Sequence, residues 1–167
     1  MLTFPPCLLS KSSGGFYSFK NIPYAEPPVG PLRFRHPIPN LRINRTINDG
    51  SSPRICPQAS QGFFQFSIPL VFETLAAGGF PPPAGLPATV QRVQSEDCLL
   101  LDVSVPKAAF DAQASGTLAK PLPVLLWIHG GAYTAGSKDE YNPAGLITQS
   151  RHDGASGVLF VAINYRL

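Results

Sequence analysis

The sequence predicts an α/β chain in which short, mostly antiparallel strands lead into a strand–helix–strand unit, within a sheet that the chain leaves incomplete. Three observations carry this. Nineteen prolines and fifteen glycines in 167 residues favour short strands joined by loops over a helical bundle. Two continuous apolar runs, Val124-Leu125-Leu126-Trp127-Ile128 and Val158-Leu159-Phe160-Val161-Ala162-Ile163, lack polar alternation and so read as strands buried on both faces. Between them Asn142 and Pro143 suit an N-cap and a first helical position, which predicts a helix over 143–151. Such a unit has parallel strands and a right-handed crossover.

The remaining elements follow in order. Residues 1–15 carry no clear element. Phe16-Tyr17-Ser18-Phe19 is aromatic and extended, and Pro23, Pro27, Pro28, Gly30 and Pro31 keep 16–50 in strands and turns. Residues 57–95 form a long loop, Phe-rich in its first half and broken by Pro81-Pro82-Pro83, with a short helix over 70–77. Leu99-Leu100-Leu101-Asp102-Val103-Ser104-Val105 is a strand ended by Pro106. Residues 108–121 read as a surface excursion. The sheet is expected to end at the strand over 158–164, with that edge uncovered.

Composition narrows the function. Hydrophobic residues make up 44% and charged residues 14%, a globular rather than a disordered balance. The net charge of +3 is concentrated early in the chain. The basic residues there are scattered among Pro and Gly, with no basic helix or aromatic-interleaved stripe, which argues against nucleic acid. No apolar run reaches the ~18 residues of a membrane span. Residues 1–10 are weakly apolar, interrupted by Pro5-Pro6 and preceded by no Lys or Arg, so they make a poor secretory signal. Three cysteines, Cys7, Cys56 and Cys98, leave one unpaired if two are bridged. Asn44-Arg45-Thr46 is a glycosylation sequon, with Asn44 as acceptor.

The residues richest in chemistry are His129-Gly130-Gly131-Ala132, directly after the run 124–128. Paired glycines let the backbone turn sharply and leave its N–H groups unshielded. Acyl transfer passes through a tetrahedral oxyanion, and removing one of the fixed N–H donors that stabilise it typically costs ~3–4 kcal/mol in the barrier. A His-Gly-Gly loop after a hydrolase strand is one form of that device. The alternative is a plain strand-to-loop turn.

Further stretches settle the choice. Phe19-Lys20-Asn21-Ile22-Pro23-Tyr24-Ala25-Glu26-Pro27-Pro28-Val29-Gly30-Pro31-Leu32-Arg33-Phe34, Cys56-Pro57-Gln58, Ser95-Glu96-Asp97-Cys98-Leu99-Leu100-Leu101-Asp102-Val103, 123–136 and Asn164-Tyr165-Arg166-Leu167 occur together and in order. In these the chain resembles the type-B carboxylesterase family, which includes lipases, cholinesterases and non-catalytic adhesion relatives. The resemblance implies the N-terminal part of an α/β-hydrolase and assigns 1–167 to a partial type-B domain. Lys20-Asn21, where a glycine is frequent, and Asp102, where asparagine is common, depart from the family pattern.

By this resemblance the oxyanion donors are the backbone N–H groups of Gly131 and Ala132, with Gly130 shaping the loop. Ala132 replaces a glycine of many relatives and can serve if its backbone angles are permitted. His129, His36 and His152 are structural, because the family's base lies far downstream. Cys56 and Cys98 match the family's first disulfide, which would close 56–98 and stabilise by ~4 kcal/mol. In the family this loop is a lid or gorge wall; here its phenylalanines either do that or pack on the body. Cholinesterases place a tryptophan there to hold a quaternary ammonium, whereas Trp127 lies in the strand run, which argues against choline esters. Arg33 and Glu96 match positions that pair in a buried salt bridge, where losing one partner costs ~3–5 kcal/mol.

The resemblance implies hydrolysis of carboxylic esters through a serine acyl-enzyme, with an ester substrate in the full-length parent and neither metal nor cofactor. The bridge and the sequon point to the secretory pathway. The nucleophile needs a Gly-x-Ser-x-Gly turn, followed by an acid and a histidine. Gly154-Ala155-Ser156-Gly157 lacks that spacing, so nucleophile, acid and base are absent from these 167 residues. Two rivals stand beside this reading: a non-catalytic adhesion or binding relative, and a small binding module complete in itself. Oligomeric state is not legible.

Overall fold

Strand pairing starts at Phe16–Pro23 (β1), which runs antiparallel to Leu100–Pro106 (β4). A computed structural model of the chain describes residues 15–41, 53–59, 76 and 93–167. Between β1 and β4 in sequence, Arg54–Ile55 (β2) and Val93–Gln94 (β3) form a two-residue parallel ribbon. β4 leads into the helix Lys107–Ala114 (α1). Val124–Ile128 (β5), Ala144–Gln149 (α2) and Leu159–Ile163 (β6) complete the chain, and β5 and β6 pair in parallel as expected. The main sheet has the order β1-β4-β6-β5. This mixed sheet with few helices matches the N-terminal part of an α/β-hydrolase.

The core lies mainly on one side of the sheet. Phe16, Ile147, Phe160 and Ala162 are buried together, with Leu125, Trp127 and Ala144 packed against them. Ile147 is the buried residue of α2, so α2 covers that face. A second cluster, Ala25, Cys56, Cys98 and Leu99, forms around the bridge between Cys56 and Cys98, whose Cα atoms are 5.0 Å apart.

Four expectations need correction. The run 124–128 is not buried on both faces: Val124, Leu126 and Ile128 are 62%, 53% and 59% exposed, because β5 is an edge strand and no described element covers their side. The sheet therefore does not end at the last strand; β6 lies inside, antiparallel to β4 and parallel to β5. Residues 108–121 are not simply an excursion, since 107–114 is helical. Its Ala-rich sequence favours helix, Lys107 pairs with Asp111 one turn on, and Phe110 packs on Tyr17 and Phe19. Finally, Arg33 and Glu96 do form an ion pair, but their side chains are 54% and 35% exposed. The helix expected over 143–151 is trimmed to 144–149, with Pro143 rather than Asn142 at the N-cap position; Asn142 Oδ1 still accepts the Ala144 N–H at 3.0 Å.

The departure at Asn21 has a local cause. The β1–β4 register shifts between Phe19 and Ile22, and Asn21 in that bulge has φ +56°. That left-handed conformation favours glycine, and asparagine is among the residues that tolerate it best. The short helix expected over 70–77, apart from Ala76, the sequon at Asn44, Cys7 and most of the loop 57–95 fall outside the described residues.

Two outcomes follow. Leu126→Thr should lower the binding of a hydrophobic dye with a stability change within ~0.5 kcal/mol, since it breaks the exposed apolar ribbon of β5 without touching the core; dye fluorescence and urea melts check this. Glu96→Gln should cost no more than ~1 kcal/mol, because a half-exposed ion pair is screened by water; a loss several times larger in the same melts would mean the pair is buried in solution.

Candidate functional site

The loop after β5 is built by close backbone approach. His129 is 3% exposed, its ring stacks on Tyr165 with centroids 4.2 Å apart, and Tyr165 Oη donates to the His129 carbonyl at 2.8 Å. His129 Nδ1 lies 2.9 Å from the Gly130 carbonyl, and its buried Nε2 has no partner among the described residues. A stacked, buried ring suits a structural role. His36 and His152 lie at the surface.

Gly131 has φ +125°, and a Cβ there would sit 1.7 Å from the Ala135 carbonyl oxygen. That oxygen is close because the chain turns back at once: the Gly131 carbonyl accepts the Thr134 N–H at 3.0 Å, the Ala135 N–H at 3.1 Å and Thr134 Oγ1 at 3.0 Å. At Gly136, φ +117°, a Cβ would fall 2.4 Å from both the Gly130 carbonyl oxygen and His129 Nδ1. No side chain larger than hydrogen fits at either place. Between them Ala132 and Tyr133 take φ +53° and +60°, the left-handed region, which costs ordinary residues about 1–2 kcal/mol each.

This local cost is met by anchors from distant segments. The Gly136 N–H donates to Gln58 Oε1 at 2.7 Å, and Gln58 Nε2 donates to the carbonyls of Gly136 at 3.3 Å and Cys56 at 2.7 Å. The Ala59 N–H donates to the Thr134 carbonyl at 2.8 Å. Beyond the loop the Lys138 N–H donates to Asn164 Oδ1 at 2.9 Å, and Tyr24 Oη donates to the Asn164 carbonyl at 2.6 Å. Burial pushes the Tyr24 phenol pKa up, partly offset by Arg166.

What the loop leaves open is chemically useful. Among the described residues, none accepts a hydrogen bond from the N–H of Gly130, Gly131, Ala132 or Tyr133, a stretch that is exposed. Gly130 and Ala132 line an open cleft of about 490 Å³, together with Ile128, His129, Tyr133 and Tyr165. Two adjacent uncommitted N–H donors can bind a carbonyl or anionic oxygen. Cys56, Cys98, Arg33 and Glu96 lie apart from this cleft, around a separate open cavity of about 580 Å³ whose lining includes Arg33, Glu96 and Cys98. Among the described residues no cluster of His, Cys, Asp or Glu could hold a metal, and no helix is long and apolar enough to cross a membrane.

Sequence reasoning noted Gln58 and Asn164 only as parts of motifs and missed what they hold. It missed Lys138 altogether, whose side chain is fully buried between Asp102 and Asp139. Its position after Gly136-Ser137 was a signal, but nothing in the sequence places Asp102 beside it.

The sequence pattern of the Carboxylesterase family matches residues 8–167. Carboxylesterase patB of Penicillium expansum is 38% identical over 173 residues, a match covering 93% of this chain and 31% of that protein. The para-nitrobenzyl esterase of Bacillus subtilis is 33% identical, over 93% of this chain and 25% of its own length. Among solved structures, Aspergillus niger EstA superposes with a TM-score of 0.62 at 28% identity, covering 95% of this chain and 24% of that one. A structure of PNB esterase gives 0.63 at 31% identity, covering 95% and 26%. The chain thus spans less than a third of the length of these relatives. It belongs to the carboxylesterase family.

Proposed function

We propose that this chain is the oxyanion-loop-bearing part of a serine-dependent carboxylic-ester hydrolase, and that these 167 residues do not hydrolyse esters by themselves. The observation that carries the reading is the run of uncommitted N–H groups that includes Gly131 and Ala132, in a loop that admits only glycine at 131 and 136, at the end of a sheet strand. Attack on an ester carbonyl places a negative charge on its oxygen. Donors already fixed in place stabilise that charge without reorganising as it develops. Ala132 serves as well as glycine because its backbone, not its side chain, donates. Neither metal nor cofactor enters this chemistry. The bridge and the likeness to a secreted triacylglycerol lipase of Gibberella zeae, 32% identical over 96% of this chain, support a secretory origin. An intact loop favours a catalytic parent over a non-catalytic binding relative.

The loop can be tested where a nucleophile exists. Residues 129–137 placed in the Bacillus subtilis para-nitrobenzyl esterase, in exchange for its aligned loop, should keep hydrolysis of a short p-nitrophenyl ester. Lactic acid in place of Ala132 in that chimera turns the amide into an ester, removes one donor N–H without changing the side chain, and should lower kcat by ~100–1,000-fold, while Ala132→Gly keeps it. A folded chimera whose kcat ignores the ester replacement would end the reading. The 167-residue chain alone should show no hydrolysis that an organophosphate abolishes, since such inhibition needs an activated serine.

A further inference from the structure

Lys138 has no role in the chemistry above, yet its side chain is fully buried. Its Nζ lies 2.8 Å from Asp102 Oδ1 and 3.0 Å from Asp139 Oδ1. Asp139 is its neighbour in sequence, but Asp102 lies on β4, near the middle of the sheet. The same Asp102 oxygen accepts the Asn21 N–H at 2.8 Å, from the bulge of β1. Lys138 stands two residues past Gly136, where the loop 129–137 ends, and its own N–H is held by Asn164. One ammonium therefore ties the exit of the loop to β4, and through the shared carboxylate to β1.

Burying two charges is a poor way to gain stability, because desolvation offsets most of their attraction and apolar residues of similar size do as well. What a buried pair adds is direction: it is satisfied in one arrangement and costly in others. Asp102 stands where asparagine is common in the family. An asparagine could still accept the Asn21 N–H but could not pair with an ammonium, which would then be left with Asp139 alone; the aspartate is what lets the lysine reach β4.

We propose that Lys138 is a positioning residue for the loop 129–137, acting through its buried ion pair with Asp102, and that the two residues are interdependent. Its catalytic consequence rests on reading that loop as the oxyanion device; the positioning itself does not.

The test is residue-resolved amide exchange on the 167-residue chain. The amides of Thr134, Ala135, Gly136 and position 138 each donate to a named acceptor and report on the loop, while amides of β6 report on the sheet. Lys138→Met takes the cation from both Asp102 and Asp139 and should lower the melting temperature most, while Asp102→Asn leaves the ammonium with Asp139 alone and should lower it less. The double variant leaves only Asp139 without its lysine, so its melting temperature should recover part of the way from that of Lys138→Met. Its loop amides should still exchange faster by about tenfold relative to β6, because the tether is gone. Loop exchange at the unaltered rate in the double variant, or loop and β6 amides loosening together in it, would overturn the proposal. The result does not depend on ester chemistry, so failure of the oxyanion reading would appear in the chimera and not here.

Discussion

One buried amide joins most of the described segments. Asn164, 1% exposed, follows β6 and uses every polar group it has. Its N–H donates to Leu100 at the start of β4, its carbonyl accepts Tyr24 Oη after β1, its Nδ2 donates to Arg54 in β2, and its Oδ1 accepts the Lys138 N–H beyond the loop. A buried amide left half satisfied costs about 1–3 kcal/mol per missing bond. The low-cost state of Asn164 is therefore the one in which three otherwise separate backbone groups and the Tyr24 phenol converge. Aspartate could not donate to Arg54, and leucine could do none of the side-chain bonding.

That convergence explains why the loop after β5 holds an unfavourable shape. Glycine at 131 and 136 removes the steric obstacle but lends no stability, since glycine gives up more chain entropy on ordering than other residues. Ala132 and Tyr133 add left-handed strain. The turn bonds to the Gly131 carbonyl are local and would form in a short peptide as weakly as any turn. The added restraint comes from Gln58 and Ala59 and from Asn164 and Tyr165, which approach from two distant places in the sequence and fix the loop's entry, middle and exit.

The sequence made the order of elements legible where local rules suffice. The two apolar runs announced β5 and β6, and the proline-rich stretch kept 23–39 out of regular helix. The Cys56–Cys98 bridge and the Arg33–Glu96 pair followed from resemblance and not from spacing. What stayed hidden was relational. A run such as Val124-Leu125-Leu126-Trp127-Ile128 reads alike whether one face or both are covered, because cover is supplied by other segments. The helix 107–114 has a local signal that reading 108–121 as an excursion passes over: four alanines and an i,i+4 Lys107–Asp111 pair. The site was half legible, its glycines announcing a turn with open N–H groups. Gln58 and Lys138 could not be placed, since their partners lie 78 and 36 residues away in sequence.

The difference between what binds the loop and what the loop leaves unbound carries the chemical argument. Every anchor grips it through a carbonyl or through an N–H outside 130–133: His129 and Thr134 by their carbonyls, Gly136 by both groups, Lys138 by its N–H. None of them takes the N–H of Gly131 or Ala132. A loop merely turning a chain corner could be closed through any of its polar groups, and a buried one would tend to use them all. Here the bonding is heavy on both sides and leaves the N–H groups of Gly130, Gly131, Ala132 and Tyr133 without an acceptor among the described residues, on an exposed stretch beside an open cleft. A donor already committed to a protein acceptor must be released before it can bind another oxygen, so these groups are the ones the loop has free to offer.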